Sequence, residues 1–353
     1  PIDAGWPCER AGFILGSLSI QVLLVGRAKL SALHQIEWSL EHLRAVICLD
    51  ETAQAPPPEA IADRDANRSV WDFIVESAPD ELGAAGFISS YTGLPFSPAE
   101  VAEYVGRVVG LVGPHLPAGA RVLEIGCGSG LLMFELAGRT ADYVGIDPSP
   151  QTQARNRRLA EQAGLTQVSL LTGFADELDA LLGPSPFDMV LIASTAQFFP
   201  GPRYLERVVA TAMRHLKPGG ALVLADLLDI RRKAEFAASL AAFELAHRGD
   251  ASVHTQTNTD RYLHVAPALF EDLRASVEGL ARVEVLERSR GFENELKYRF
   301  DVVLHKAADG VPLVLPAPRR TLDTLWHAAP QPTHRPESGA TAEDEAYVIH
   351  TSG

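Results

Sequence analysis

A glycine run with a carboxylate behind it carries the plainest chemistry in this chain. Val122-Leu123-Glu124-Ile125-Gly126-Cys127-Gly128-Ser129-Gly130 reads as a buried strand followed by a glycine turn that opens a helix. Tyr143-Val144-Gly145-Ile146-Asp147 reads as a second strand that ends in a carboxylate. The glycines keep side chains away from a ligand and permit positive φ at a tight strand-to-helix turn. Asp147 stands 21 positions after Gly126, where a carboxylate can accept both hydroxyls of a ribose. That spacing suits several nucleotide binders. Glu124 narrows them, because a carboxylate beside the turn repels a pyrophosphate and tolerates a cationic sulfonium with an ammonium group. The run also lacks the third glycine of the dinucleotide pattern Gly-x-Gly-x-x-Gly.

These residues resemble the first motif of class I methyltransferases that use S-adenosylmethionine. The resemblance implies cofactor contacts at Glu124, Gly126, Cys127, Gly128, Gly130, Asp147 and Pro148. In many such enzymes an acidic residue follows the glycine of the third motif and meets the adenine amino group. Here Gly173 is followed by Phe174-Ala175-Asp176. Phe174 is therefore a candidate to stack on adenine, with Ala175 beside it and Asp176 or a backbone group as hydrogen-bond partner. A core aromatic is the open alternative.

The elements that must position these residues follow from periodicity. Ser97-Pro98-Ala99-Glu100 is a capping box with proline at the first helical position, and Val101, Tyr104, Val105, Val108 and Val112 keep helical spacing behind it. Strands are expected at 121–125, 143–146, 168–171, 187–193 and 221–225. Helices are expected between them at 131–136, 151–162 and 203–216. This alternation implies an α/β fold with a doubly wound, parallel, Rossmann-like sheet, which strands at 282–288 and 298–305 close. Ligands in such sheets sit at the carboxyl ends of the strands. That places Ser194 and Gln197 after the fourth strand and Asp226 after the fifth, near cofactor and acceptor. His254 and His264, in the helical insertion after the fifth strand, are candidate general bases. Asp226 is a third catalytic candidate.

The ends of the chain read differently. The segment 1–60 carries helix (7–18), strand (22–25), helix (31–43) and strand (46–49), then Gln54-Ala55-Pro56-Pro57-Pro58-Glu59, a linker signal. Its first residues, Pro1-Ile2-Asp3-Ala4-Gly5-Trp6-Pro7-Cys8-Glu9-Arg10, resemble the second core motif of nonribosomal peptide synthetase adenylation domains. Ala346-Tyr347-Val348-Ile349-His350-Thr351-Ser352-Gly353, at the end of the segment 309–353, resembles the start of their third. The chain thus resembles a methyltransferase domain, 61–308, inserted into an adenylation domain between those two motifs and excised from something longer. Further matches to methyltransferases embedded in such synthetases are Gly86 to Pro95, a lid segment that includes Tyr91; Phe198-Phe199-Pro200 after Gln197; and Phe292 to Asp301, their Asn-Glu-Leu signature. Asn294, Glu295 and Tyr298 are accordingly candidates to hold the acceptor's amino group or to order the lid, and a hairpin cap is the open alternative. The usual asparagine at the fourth-strand exit is replaced by Ala193 or Ser194.

Composition excludes other classes. A net charge of −14 without a Lys/Arg cluster disfavours nucleic acid as substrate. Cys8, Cys48 and Cys127 form neither a disulfide framework nor a metal-binding pattern and suit a reducing cytoplasm. The apolar stretch 11–25 is too short to span a bilayer. The resemblance implies S-adenosylmethionine as cofactor, with no metal. It also implies an amino acid or an aminoacyl-phosphopantetheinyl carrier protein as partner, beside the rest of the adenylation domain and synthetase. In this family, insertion between the second and third core motifs goes with side-chain O- or S-methylation. Backbone N-methylation is the runner-up, and a catalytically silent cofactor-binding scaffold is the alternative of another class.

Overall fold

The computed structural model describes residues 6, 8–26, 29, 33, 36, 40, 42, 43, 45–48, 59–77, 86–250, 252–259, 262–288 and 294–310. The chain divides into two compact units, Pro1–Pro57 with Arg319–Gly353, and Pro58–Pro318. In the first unit, helix α1 (Cys8–Ser17) precedes strands β1 (Val22–Val25) and β2 (Ala45–Cys48), which pair in parallel. The proline linker, the third-motif resemblance at 346–353 and most of the second-motif resemblance and of the helix expected at 31–43 lie outside the described residues.

The second unit is built on a sheet whose strands are β3 (Ala120–Ile125), β4 (Thr140–Asp147), β5 (Val168–Thr172), β6 (Phe187–Ala193), β7 (Leu216–Asp229), β8 (His264–Val265), β9 (Leu280–Glu287) and β10 (Arg299–Lys306). The order is β5-β4-β3-β6-β7-β10-β9, with β8 paired to the end of β7. The strands from β5 to β7 run parallel, and crossover helices α4 (Leu131–Leu136), α5 (Pro150–Gln162) and α7 (Pro202–Arg214) fall where alternation places them. The closing strand β10 is antiparallel to both β7 and β9, so the sheet is mixed. Apolar side chains fill both faces of the central strands. Val122, Met189, Val223 and Val303 join Tyr104, Val108 and Val112 of helix α3 (Pro98–Val112) in one core cluster.

Side-chain caps set the helix starts, and the one at Ser97 is the capping box expected from sequence. Ser97 Oγ accepts the Glu100 N–H at 3.3 Å while Glu100 Oε2 accepts the Ser97 N–H at 2.8 Å. Ser149 Oγ accepts from Thr152 N at 3.0 Å, ahead of Pro150 at the start of α5. Three helices are not placed by periodicity: α2 (Arg64–Ser77), α8 (Lys233–Ala246) and α9 (Pro267–Leu273), the last two after β7, with a four-residue α6 (Leu178–Leu181) behind β5. Among the described residues no helix is long and apolar enough to cross a membrane.

Candidate functional site

The cradle stands at the carboxyl ends of β3 and β4. Gly126 N and Cys127 N both donate to Ile146 O, at 2.7 and 3.0 Å, which folds the turn back over β4. Gly126 has φ +77°, and a Cβ there would lie 2.4 Å from Thr195 Oγ1, so backbone conformation and packing both require glycine. Gly128, at φ +46°, is different: a Cβ there would meet nothing within 4 Å, so its missing side chain leaves open space. Helix α5 braces the turn from below. Asn156 Nδ2 donates to Gly128 O at 2.7 Å, Arg155 donates to Ser129 O at 3.2 Å, and Gln153 Nε2 donates to Leu171 O at 2.7 Å and Gly145 O at 3.3 Å. Arg155 and Arg157 hold carbonyls of the turn and of β5.

Asp147 closes the cradle. Its Oδ2 accepts the Gly128 N–H and its Oδ1 the Ser149 N–H, both at 3.0 Å, which leaves a further lone pair on each oxygen for a diol. Burial pushes its carboxyl up to about 6 against those two hydrogen bonds. Glu124, one strand over, accepts the Tyr143 hydroxyl at 2.8 Å. Burial pushes it up to about 8, with the Asp147 charge adding to the effect. These two buried carboxyl groups take their hydrogen bonds from backbone N–H groups and a tyrosine hydroxyl, which makes a cradle suited to a positively charged ligand. Gly173 N donates to Asp147 O at 3.0 Å and ties β5 to the same rim, whereas Cys127 turns its thiol inward against Gln153, and Pro148 is half-buried. Asp147→Ala should weaken ribonucleoside cofactor binding by about 2–3 kcal/mol, the value of charge-assisted hydrogen bonds in a water-poor site. Titration calorimetry checks this, and an unchanged dissociation constant removes Asp147 from the site.

Phe174 does not present a free ring. It is buried, the Arg64 and Arg68 guanidiniums of α2 lie 4.8 and 4.9 Å from its centroid, and its N–H is taken by Glu177. Ala175 is buried beside it. Asp176, considered for the adenine amino group, pairs with Arg64 at 2.7 Å and accepts the Tyr204 hydroxyl at 2.9 Å. Helix α2 thus reaches over the ends of β4 and β5. Asp72 accepts from Ser149, and Trp71 packs edge-on against Phe198 with centroids 4.7 Å apart. Its start signal was present in the sequence as Asp63, whose side chain accepts Ala66 N at 2.9 Å.

The exits of β6 and β7 are joined by a buried ion cluster. Asp226, in β7 at φ +69°, and Ser194, just after β6 at φ +49°, are among the few non-glycine residues in the left-handed region. Ser194 Oγ donates to Asp226 Oδ2 at 2.6 Å and lies 2.9 Å from the Tyr104 hydroxyl. Arg288 binds Asp226 at 2.7 Å and also Asp301, Arg299 binds Asp226, and Arg107 reaches Asp301 at 3.2 Å. Asp226 N donates to Asp301 Oδ1 at 2.8 Å where the β7–β10 register shifts. Burial would raise the Asp226 carboxyl, but Arg299, Arg288 and Ser194 hold it below the usual carboxylate range. That corrects its expected role: a carboxylate so paired is a poor proton acceptor, and Asp226 is instead the anchor that fixes Ser194. Arg288, Asp301 and Arg107 went unread in the sequence, although an aspartate within the apolar run 300–304 signals a buried partner.

The remaining candidates separate. His264 lies in β8, paired opposite Leu228, rather than in a helix, and its Nδ1 is 3.0 Å from Tyr262 O. His254 is exposed in the loop beside Thr92, which accepts its N–H at 3.0 Å. Tyr91 bonds Ser239 and packs against Phe236 and Phe243, and burial pushes its hydroxyl up to about 12. Asn294 caps the 3-10 turn Glu295–Tyr298 through Leu296 N at 3.1 Å and donates to Glu100 at 2.9 Å, so its side chain is structural. Tyr298 is buried against Phe236 under Arg232. Glu295 accepts Ser90 N, and Gln197 is buried at the β6 exit. Phe292 and Glu293 lie outside the described residues. Among the described residues no group of three or more His, Cys, Asp or Glu side chains is placed to hold a metal.

Residues 123–222 match the family model described as a methyltransferase domain. CymA, a probable nonribosomal peptide synthetase of Salinispora arenicola, is 32% identical over 244 residues, 68% of this chain and 3% of its own length. Chondramide synthase of Chondromyces crocatus is 30% identical over 332 residues, 82% of this chain and 8% of its own length. Among solved structures, the CcbJ methyltransferase of Streptomyces caelestis is 22% identical, covering 58% of this chain and 90% of that one at a TM-score of 0.42. The chain spans between 2 and 10% of the length of the curated relatives compared with it.

Proposed function

We propose that this chain, which carries an S-adenosylmethionine-dependent methyltransferase domain of the kind carried by nonribosomal peptide synthetases, methylates a side-chain hydroxyl or thiol of an amino acid during peptide assembly. The observation that carries the reading is the cradle: open space at Gly128, Asp147 with lone pairs to spare, and Glu124 buried one strand away. When bound, S-adenosylmethionine supplies an electrophilic methyl group on a cationic sulfur. Asp147 accepts the ribose hydroxyls, while Glu124 and Asp147 together compensate the positive charge. Ser194, pinned by Asp226, shapes the β6 exit where an acceptor must line up, and α2 keeps water from the adenosine side. The acceptor's proton needs a destination. A thiol ionises in part near neutral pH without help, whereas a hydroxyl needs a base in contact.

His264 fits that base best, being buried on the strand paired to the end of β7. His264→Gln should lower kcat toward a hydroxyl acceptor by about 100-fold with cofactor affinity unchanged, and His254→Ala should change neither. Steady-state kinetics with serine-type acceptors checks this. Equal rates for wild type and His264→Gln remove the histidine from the mechanism.

The raised carboxyls predict a pH signature. A bound cation favours ionised Glu124 and Asp147, so cofactor binding near pH 7 should release protons and tighten as pH rises between about 6 and about 8. Stability runs the other way. Both folded values exceed those of unfolded carboxyls, about 4, so the ligand-free fold loses stability as pH rises through about 6 and about 8. Glu124→Gln should abolish most of the proton release and be more stable than wild type at pH 9. Calorimetry in buffers of different ionisation enthalpy reads the first effect and thermal melts the second.

The side-chain assignment is supported by the resemblance of residues 1–10 and 346–353 to the adenylation motifs that flank such insertions. Mass spectrometry of the product, with fragmentation to place the added methyl, tests it. A methyl on the α-nitrogen refutes the reading and replaces it with backbone N-methylation.

A further inference from the structure

Tyr143 is fully buried on β4, yet it carries a hydroxyl that the core around it does not need. Val122, Met133 and Leu136 belong to the same apolar cluster, where a phenylalanine ring would pack as well. A buried hydroxyl costs free energy unless it is hydrogen-bonded, so its retention points to its partner. That partner is Glu124 Oε2, which accepts from it at 2.8 Å. The contact follows from register. Tyr143 stands opposite Val122 in the parallel pair β3–β4, so Glu124, two residues further along β3, shares its face of the sheet. Among the described residues the Glu124 carboxyl has no other hydrogen-bond partner, which leaves Oε1 to a ligand. The other titratable groups facing Glu124 are Asp147 of β4, Cys127 of the turn and Tyr104 of α3. None of these supplies a positive charge, so the Tyr143 hydroxyl steadies ionised Glu124 until a cationic ligand arrives.

We propose that Tyr143 is a positioning residue for the methyl donor: its hydroxyl holds Glu124 by one oxygen and favours the anion, so that the carboxylate meets the cationic cofactor already in place. The inference rests on the methyltransferase reading and deepens it. In this role Tyr143 acts through Glu124. A phenol donates to either form of a carboxyl group, but its bond to the anion is the stronger. Losing the hydroxyl therefore weakens cofactor binding where Glu124 must give up a proton to bind, and has little effect where Glu124 is ionised beforehand.

The test is titration calorimetry on the full chain between about pH 6 and about pH 9.5. The ligands are S-adenosylmethionine up to about pH 8 and, throughout, sinefungin, a stable analogue with an amine-bearing carbon in place of the sulfonium. The ratio of dissociation constants, Tyr143→Phe over wild type, cancels the ligand's own titration. It should be about 10-fold between pH 6 and 7, the value of a hydrogen bond that strengthens on ionisation. It should fall below about 3-fold at the highest pH, since the empty-site Glu124 ionises at about 8. In a Glu124→Gln background, Tyr143→Phe should change affinity by less than about 2-fold at every pH. A ratio that stays constant with pH, a ratio near 1 throughout, or an effect undiminished in Glu124→Gln makes Tyr143 a packing residue and overturns the proposal. If Tyr143→Phe fails to fold, a fluorinated tyrosine placed at 143 alone keeps the shape and strengthens the donor. It should tighten binding near pH 7, and unchanged binding overturns the proposal. A wild type that binds neither ligand overturns the methyl-donor reading itself, whereas normal wild-type methyl transfer beside a pH-independent ratio overturns only the inference.

Discussion

Arg288→Met is expected to lower the unfolding free energy by about 3–5 kcal/mol, the cost of leaving buried charges without their partner. Arg288 is fully buried and is bound to Asp226 and Asp301 at once, through Nε at 2.9 Å and Nη1 at 2.7 Å among other contacts. Removing it leaves two carboxylates facing each other in the sheet, with Arg299 and Arg107 reaching one each. Neither can move to span both, because Arg299 starts β10 and Arg107 belongs to α3. Urea unfolding followed by circular dichroism gives the number. A loss below about 1 kcal/mol would mean that the cluster is screened by water and contributes no more than a surface pair. The functional consequence follows from the side chain. Ser194, at φ +49°, gives its hydroxyl to Asp226, so any folded fraction of Arg288→Met, with Asp226 displaced, should bind cofactor but turn over slowly.

The same cluster marks what could not be read from one sequence. Strands β3 and β4 and the glycine turn were legible because an apolar run, a 3.6-residue period and glycine chemistry are local signals. The capping box at Ser97 was legible for the same reason. Arg288 and Asp226 are 62 positions apart, and only a folded sheet with an antiparallel β10 brings them together. Helix α2 was missed for another reason. Its outer face carries Val70 and Phe73, exposed at 57% and 68%, so its apolar residues do not form the single buried stripe that periodicity detects. The site candidates split along the same line. Asp147, Gly126 and Gly128 follow from the turn itself. Asn294 and Tyr298 were picked by position in a motif and Asp226 by its place after the fifth strand, and their side chains prove to be spent on structure. Position along a strand fixes where a residue stands; the partners that occupy it come from distant segments.

Gly128→Val should abolish measurable S-adenosylmethionine binding, a loss of at least about 100-fold or 2.7 kcal/mol. Two effects act together and can be separated. Gly128 sits at φ +46°, a conformation that costs a β-branched residue about 1–2 kcal/mol, which should appear as a modest fall in melting temperature. The larger effect is steric. A Cβ at Gly128 meets no protein atom within 4 Å, so the valine methyls enter the space beside Asp147 that the ribose must occupy, without disturbing the fold around it. Gly126→Ala provides the contrast, because its Cβ collides with Thr195 and should damage folding before binding. Calorimetric titration of folded Gly128→Val with S-adenosylmethionine and with S-adenosylhomocysteine distinguishes the causes. Loss of both ligands with a melting temperature within a few degrees of wild type is the expected result, since the obstruction lies on the nucleoside and not on the charged sulfur. Near-normal binding of either ligand would place the cofactor away from the glycine turn and would remove the basis for reading this sheet edge as the methyl-donor site.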